Sequence, residues 1–514
     1  MARAALSSDD PRFSVGLRLD LGLSTEFASV VQGIVAGIHE TSSLRNRRDA
    51  LAATTLATDI VLANLLRAFQ RNKTLYVALS LSSNSYPRGP GNPASVGSRG
   101  IRRVVEYLAS SRPALIRLRP GGQFRGSGGG VIARHFTRIR ATDQLIAKFN
   151  GVLTARASEG APRVEVHGQS AANSRSFTTK ELPIIRLKST DGKLISFSDR
   201  DETKQMHARL KKYNEFVSLQ WIDLLLPDEE FKTVVEGRVE EERELTEKTD
   251  PIVDLLFQRK LYRVFNNGRF DHGGRFYGGW WQHIPSKYRK FITINWTPII
   301  ELDFSNMQIA MLYAMEGHAL EGDAYALDGV SAEYRKLIKR TLLALINAEG
   351  RIKAPASRER PPGWTWADLK DAIKEKHSRI ASHFGSGIGR RLQRVDSDIA
   401  EDVMMSFMAR DVLVLPVHDS FLTFPGQRDD LKTAMQTAYV ARMGQNIGID
   451  ADPSFFETEL SPDAIELDNE GVRPLSDAID GYESSSDYVA YRKRRADFLV
   501  GKSDAWKFRF YTGG

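Results

Sequence analysis

The chain has 514 residues, with 72 Lys and Arg against 64 Asp and Glu, a formal net charge of +8. That length supports two or three hydrophobic cores, and the positive balance suits a polyanionic partner. With no cysteine there is neither a disulfide framework nor a thiolate zinc site, and no apolar run reaches the roughly 18 residues of a membrane span. The N-terminal MARAALSSDDPRF lacks a signal-peptide core, so a cytoplasmic protein with no membrane partner is expected.

Residues 45–71 read as a helix, with Leu51, Ala52, Leu56, Ile60, Leu62 and Leu66 on its apolar face. TLYVALSL is a predicted strand and SYPRGPGNPASVG a Pro/Gly-rich loop. SRGIRRVVEYLAS is an amphipathic helix with Val104, Val105 and Leu108 inward. LIRLR and VIARHFTRIRA are strands joined by GGQFRGSGGG, which lacks the Gly-Lys-Ser/Thr ending of a phosphate-binding loop and reads as a wing tip. This order predicts a winged-helix-like, nucleic-acid-binding domain over residues 1–155. Its charge is lopsided: Arg99, Arg102, Arg103, Arg112, Arg117, Arg119, Arg125, Arg134, Arg138 and Arg140 face a single acid, Glu106. Guanidinium forks match phosphate oxygens, so this stripe is the expected footprint on a DNA backbone.

Residues 156–182 are polar and aperiodic and predict a linker. Residues 183–250 open with a hairpin, IIRLKS-TDGK-LISFS. A helix capped by Asp199 or Asp201 follows, in which Met206, Leu210, Tyr213, Val217 and Trp221 keep helical spacing. With Lys204, Arg209, Lys211 and Lys212 opposite, it predicts a thumb-like element, and GRVEEERELTEKTD is an exposed charged segment.

Residues 251–514 carry the chemistry. PIIELDFS is an apolar strand ending on Asp303, and VLVLPVHDSFLTF is a pair of strands with His418, Asp419 and Ser420 at their junction. Between them YRKLIKRTLLALINAEG reads as a helix that puts Arg335, Lys339, Leu343 and Asn347 on one face. Two strand-end aspartates can clamp two divalent cations across an in-line phosphoryl displacement, and a cationic helix between them can hold a triphosphate. KAPASRERPPGWTW is a Pro-rich loop within this region. There is no His-x-x-x-His pair, no G-x-S-x-G elbow and no G-x-G-x-x-G after a strand, and no D-x-E constellation for a proofreading nuclease upstream.

GGRFYGGWWQHIP followed by IIELDFSNMQI resembles the stretch of family A DNA polymerases that runs from T-G-R-L through Q-N-I-P to motif A. Arg275 falls on the arginine, Gln282 and His283 on the Gln-Asn pair, Asp303 on the catalytic aspartate and Gln308 on the motif A glutamate. Arg335 and Lys339 match motif B, R-x3-K-x7-Y, which here ends in Asn347. LQRVDSDIAED, with Gln393 and Asp398, resembles the Q-G-T-A-A-D-I helix, and VHDSF resembles motif C. Ser420 is closer to the single-subunit, phage-type RNA polymerases.

The resemblance covers roughly Leu255 to Pro425. It implies an α+β fold, a right-hand palm on an antiparallel sheet with reduced helical fingers. Asp303 and Asp419 would be metal ligands for two Mg2+ (or Mn2+) ions, with Lys339 catalytic beside them. Arg335, Lys339, Leu343, Asn347 and Gln308 would meet the nucleoside triphosphate. Arg275, Gln282, His283, Gln393 and His418 would meet a DNA template or primer–template, although His418 is equally compatible with a structural bond inside its turn. The expected function is template-directed nucleotidyl transfer in replication of a mobile element. A primer-independent RNA polymerase or primase, and a non-catalytic initiator with a degenerate palm, are the alternatives. Gln308 and Asn347 replace the family's glutamate and tyrosine and leave sugar choice open.

Overall fold

The computed structural model describes residues 14–41, 48–82, 86, 92, 94–125, 131–158, 177–179, 182–235, 258–350, 352–355, 359–452 and 485–499. The part of the expected wing tip after Arg125, most of the expected linker and the GRVEEERELTEKTD segment lie outside them, while Gly122–Arg125 of the expected wing pair antiparallel with Val131–His135. The chain is a mixed α+β protein built on separate hydrophobic cores.

The first unit contains β1 (Ser14–Gly16), β2 (Leu21–Leu23), α1 (Ala28–Thr41), α2 (Arg48–Arg71), β3 (Tyr76–Leu79), α3 (Ser98–Ser110), β4 (Ile116–Arg119), β5 (Gly122–Arg125), β6 (Val131–His135), β7 (Thr137–Ala141), α4 (Asp143–Ser158) and β8 (Phe177–Thr179). Its main sheet has the order β1-β3-β7-β4. α2 has the length and apolarity of a membrane span but is a core helix, burying Ala57, Ile60, Val61, Leu62 and Leu66. The predicted helix–strand–helix–strand order is present. Two features differ from the winged-helix expectation. β1 pairs parallel to β3, and among the described residues one helix, α3, separates β3 from β4 where a helix-turn-helix needs two. Phe177–Thr179 within the expected linker form β8, antiparallel to β2 in a two-stranded sheet, as FTT is a β-favouring run.

The second unit begins with β9 (Ile185–Lys188), β10 (Leu194–Ile195), α5 (Asp201–Ser218), β11 (Ile222–Leu224) and α6 (Asp228–Val235). It continues through β12 (Tyr262–Asn266), β13 (Arg269–Tyr277), α7 (Ser286–Arg289), β14 (Ile292–Ile294), β15 (Thr297–Pro298), β16 (Ile300–Phe304), α8 (Met307–Met315), α9 (Arg335–Asn347), α10 (Trp366–Lys376) and α11 (Gly389–Met408). It ends with β17 (Leu415–Val417), β18 (Ser420–Thr423), α12 (Arg428–Met443), β19 (Ile449–Asp452) and α13 (Val489–Leu499).

The expected boundary near residue 250 is absent from the packing. Met206, Leu210, Tyr213 and Val217 of α5 share one core with β16, α8 and α11, and β9 pairs with β12. A hairpin and one amphipathic helix cannot bury their apolar faces alone, so they join the larger sheet system. Neither aspartate caps α5. The N-cap is Arg200, whose backbone N–H donates to Thr203 Oγ1 at 2.9 Å. Trp221 lies beyond the helix end and packs with Leu225, Tyr488 and Tyr491, where α13 docks.

Candidate active site

Four strands in the order β17-β18-β16-β19 make the antiparallel sheet that carries the two aspartates. Ile300, Leu302 and Phe304 turn into the core, so strand alternation puts Glu301 and Asp303 on the other face. β17 and β18 are joined by the two-residue turn His418–Asp419, with Val417 opposite Ser420. His418 has φ of 60°, the left-handed conformation that primed hairpin turns require. The turn lies against the end of β16: Asp303 is in register with Ser420, and Phe304 N–H donates to Asp419 O at 3.3 Å. The two aspartates are thus neighbours across adjacent strand ends.

Other carboxylates crowd them. β19 sets Asp450 opposite Asp303 and Asp452 opposite Glu301. Desolvation, then the charges of Asp419, Glu301 and Asp452, push Asp303 up to about 7, and Lys339 pulls it down. Glu301 is buried and also raised, by desolvation first; Arg289 at 3.0 Å and the Ser420 hydroxyl, which donates to it at 2.6 Å, oppose that. Ser305 donates to Asp450 at 2.6 Å. Neither Glu301 nor the Asp450/Asp452 pair figures in the sequence reading. Strand alternation puts Glu301, two residues before Asp303, on the same face as Asp303. The D-x-D of β19 gains meaning only from its pairing with β16, far away in the sequence.

α9 supplies the cationic side. Ile338, Leu342, Leu345 and Ile346 are buried, which turns Lys339 and Asn347 outward with Arg335. Arg335 is held by Asp323 through two bonds of 2.9 and 3.1 Å and lies over the Tyr325 ring. Asn347 Nδ2 donates to Gln308 Oε1 at 2.9 Å and to Leu343 O at 2.8 Å, so these three predicted residues meet as a cluster. α11 crosses closely here. A Cβ on Gly389 would lie 2.0 Å from Asn347 Oδ1.

Of the expected nucleic-acid contacts, Arg275 and Gln282 are bonded within the protein. Arg275 is paired with Asp396 at 2.7 Å. Buried Asp396 stands at about 6, raised by desolvation against the pull of Arg275. Asp398 instead meets Arg263 and Arg394, each at 2.9 Å. Gln282 donates to Phe276 O and to Pro416 O at 3.1 and 3.2 Å, and Trp281 also donates to Pro416 O. This turn therefore clamps the strand that leads into Asp419. His283 is half-buried and lowered by that burial. His418 is lowered by burial and then by Arg275, with its Nδ1 buried and unpartnered. Gln393 is half-buried on α11, a turn before Asp396.

The predicted arginines of the first unit fall on three parts of the fold. Arg99, Arg102 and Arg103 are on α3; Arg117 and Arg119 on β4 join Arg138 on β7. Arg134 is on β6.

No protein-family profile and no characterised protein matches the sequence. Among solved structures the chain is similar to the POL domain of Pol1 from M. smegmatis in complex with DNA primer-template and dNTP. That match has a TM-score of 0.29 and 9% sequence identity, covering 84% of this chain and 66% of that one, so the chain spans about two thirds of the length of that domain. A likeness this distant assigns no residue role.

Proposed function

We propose that the chain is a template-directed nucleotidyltransferase that acts on DNA and nucleoside triphosphates. One observation carries this reading: Asp303 and Asp419 stand at adjacent strand ends with Lys339 close enough to act on Asp303 electrostatically. Like-charged carboxylates brought together favour a proton or a cation. Hard oxygen donors and an open outer side suit Mg2+, which keeps waters and substrate phosphates in its shell. Asp303 and Asp419 would hold two such ions. When bound, they would lower the pKa of the attacking hydroxyl and neutralise the leaving phosphates.

The chain's own groups do the rest. Lys339 offers a point charge to the triphosphate, and Arg335, already forked onto a carboxylate, exchanges Asp323 for a phosphate. Gln282 and Trp281 hold β17, and Glu301 holds Ser420, so the turn that bears Asp419 is fixed from both sides. Replication of a mobile element is the setting we propose. Ser420 and the uncharged Gln308 favour a second reading, primer-independent synthesis of RNA.

The test is extension of primed and unprimed templates with dNTPs or NTPs and Mg2+. Incorporation is expected in the wild type and below detection in both Asp303→Asn and Asp419→Asn. Incorporation at the wild-type rate by either variant removes the two-metal assignment, and no incorporation on any template removes the reading.

A further inference from the structure

Arg275 stands between two carboxylates and is bonded to one of them. On β13 Phe276 enters the core, so strand alternation sets Arg275 and Tyr277 on the other face. The Tyr277 ring meets the His418 ring edge-on at 5.9 Å, which brings that face of β13 against the turn bearing Asp419. Arg275 nevertheless turns to α11. Its Nε donates to Asp396 Oδ2 at 2.7 Å and its Nη2 reaches the same oxygen, while Asp396 Oδ1 is buried without a partner. Burial bears most heavily on Arg275, and against it the charges of Asp396 and then Asp419 raise the guanidinium above its ordinary value. A buried ion pair often adds little net stability over apolar groups of the same size. What this pair does fix is where the guanidinium points.

We infer that Asp396 is a positioning residue for the metal site: it holds Arg275 on α11 and so keeps Asp419 open to a cation. The inference rests on the two-metal reading of Asp303 and Asp419. Without the Asp396 charge, a guanidinium whose side chain is only 17% exposed loses its carboxylate. The next carboxylate whose charge bears on it is Asp419. Asp398, two residues further along α11, is already bonded to Arg263 and Arg394 and offers no replacement. A guanidinium forked onto Asp419 would neutralise it and take up the oxygens that a hard cation needs. Asp396 and Asp419 thus compete for one arginine, and the folded chain gives it to Asp396.

The experiment titrates Mn2+ alone into the full chain, followed by electron paramagnetic resonance, with no nucleotide or nucleic acid present. Loss of binding in Asp303→Asn marks the site. Asp396→Asn is expected to weaken Mn2+ there roughly tenfold or more, because the freed guanidinium competes for Asp419. Asp396→Ser, which lets water reach the guanidinium, repeats the test if Asp396→Asn melts below the assay temperature. In Arg275→Met the buried Asp396 carboxyl, already raised by desolvation, takes a proton and nothing is left to close on Asp419. Binding is therefore expected within about threefold of the wild type in Arg275→Met, and also in Arg275→Met with Asp396→Asn. A crystal structure of metal-free Asp396→Asn should show Arg275 bonded to Asp419. The inference is overturned if Asp396→Asn binds Mn2+ as the wild type does, or if its Arg275 stays against α11. It is equally overturned if Arg275→Met loses as much as Asp396→Asn, since breaking the pair from either side would then be merely structural. A wild type with no Mn2+ site sensitive to Asp303→Asn is a separate result, which removes the two-metal reading and this inference with it.

Discussion

Asp303 is a carboxyl among carboxyls, and the sign of its shift has a consequence for stability. It titrates at about 7 and Asp396 at about 6 in the folded chain, both raised first by desolvation. A carboxyl raised on folding takes up protons as the chain folds, so its contribution to stability falls as pH climbs from about 4 through the folded value. The melting temperature is expected to decline over that window. Magnesium should recover more of it near pH 8 than near pH 5, and Asp303→Asn should lose most of that recovery. Scanning calorimetry across pH with and without the ion checks it; a magnesium response equal at both pH values contradicts it.

Gln308 decides a second question at this scale. Its carbonyl oxygen is engaged by Asn347, which leaves its amide hydrogens for a sugar hydroxyl. Under the polymerase reading, dNTPs and NTPs are expected to be used within about a hundredfold of each other, a gap of roughly 2.7 kcal/mol. Gln308→Glu should move the preference towards dNTPs and Gln308→Gly towards NTPs. Ratios of kcat/KM for single-nucleotide incorporation decide it.

Among the elements, α11 is the hub, and its contacts are ionic as well as apolar. Arg263 of β12 is fully buried and bonds Gly274 O, Ser397, Asp398 and Glu401, while Arg209 of α5 reaches the same Glu401 at 2.9 Å. Breaking a buried network by removing one partner strands the remaining charges. Arg263→Met is expected to cost about 3–5 kcal/mol in urea unfolding, and a loss under 1 kcal/mol would show the network to be dispensable. The sequence conceals this. In YRVFN the middle three residues are all buried, and Arg263 is covered by α11. Alternation alone assigns Arg263 and Val264 to opposite environments. The cationic helix and the HD turn were easier to read, since each is set by local periodicity or by turn chemistry.

At the scale of the molecule, two cores imply two cooperative units. Residues from Val15 to Phe149 fill one, and residues from Ile185 to Tyr439 fill the other. Calorimetry is expected to resolve two transitions, with Ile139→Ala lowering one and Leu422→Ala the other. A single transition shifted by both substitutions would show the units to be coupled throughout. Residues 156–182 lose apolar periodicity, and the described residues on either side of them fill different cores. The finer division near residue 250 does not match the packing, because a change of charge along the chain says nothing about which apolar faces meet.

The sequence by itself determined the strand-end aspartates, the helix that presents Arg335, Lys339 and Asn347 on one side, and an arginine excess in the first unit. Each is a matter of spacing within about a dozen residues, where helix and strand periods fix which side chains share a face. Tertiary structure alone decided that Asp450 and Asp452 join Asp303, and that Arg275 is paired with Asp396. It also set Arg117 opposite Arg140 across β4 and β7. Those juxtapositions depend on strand register and on which elements cover which face, and both are settled by burial of the whole core together.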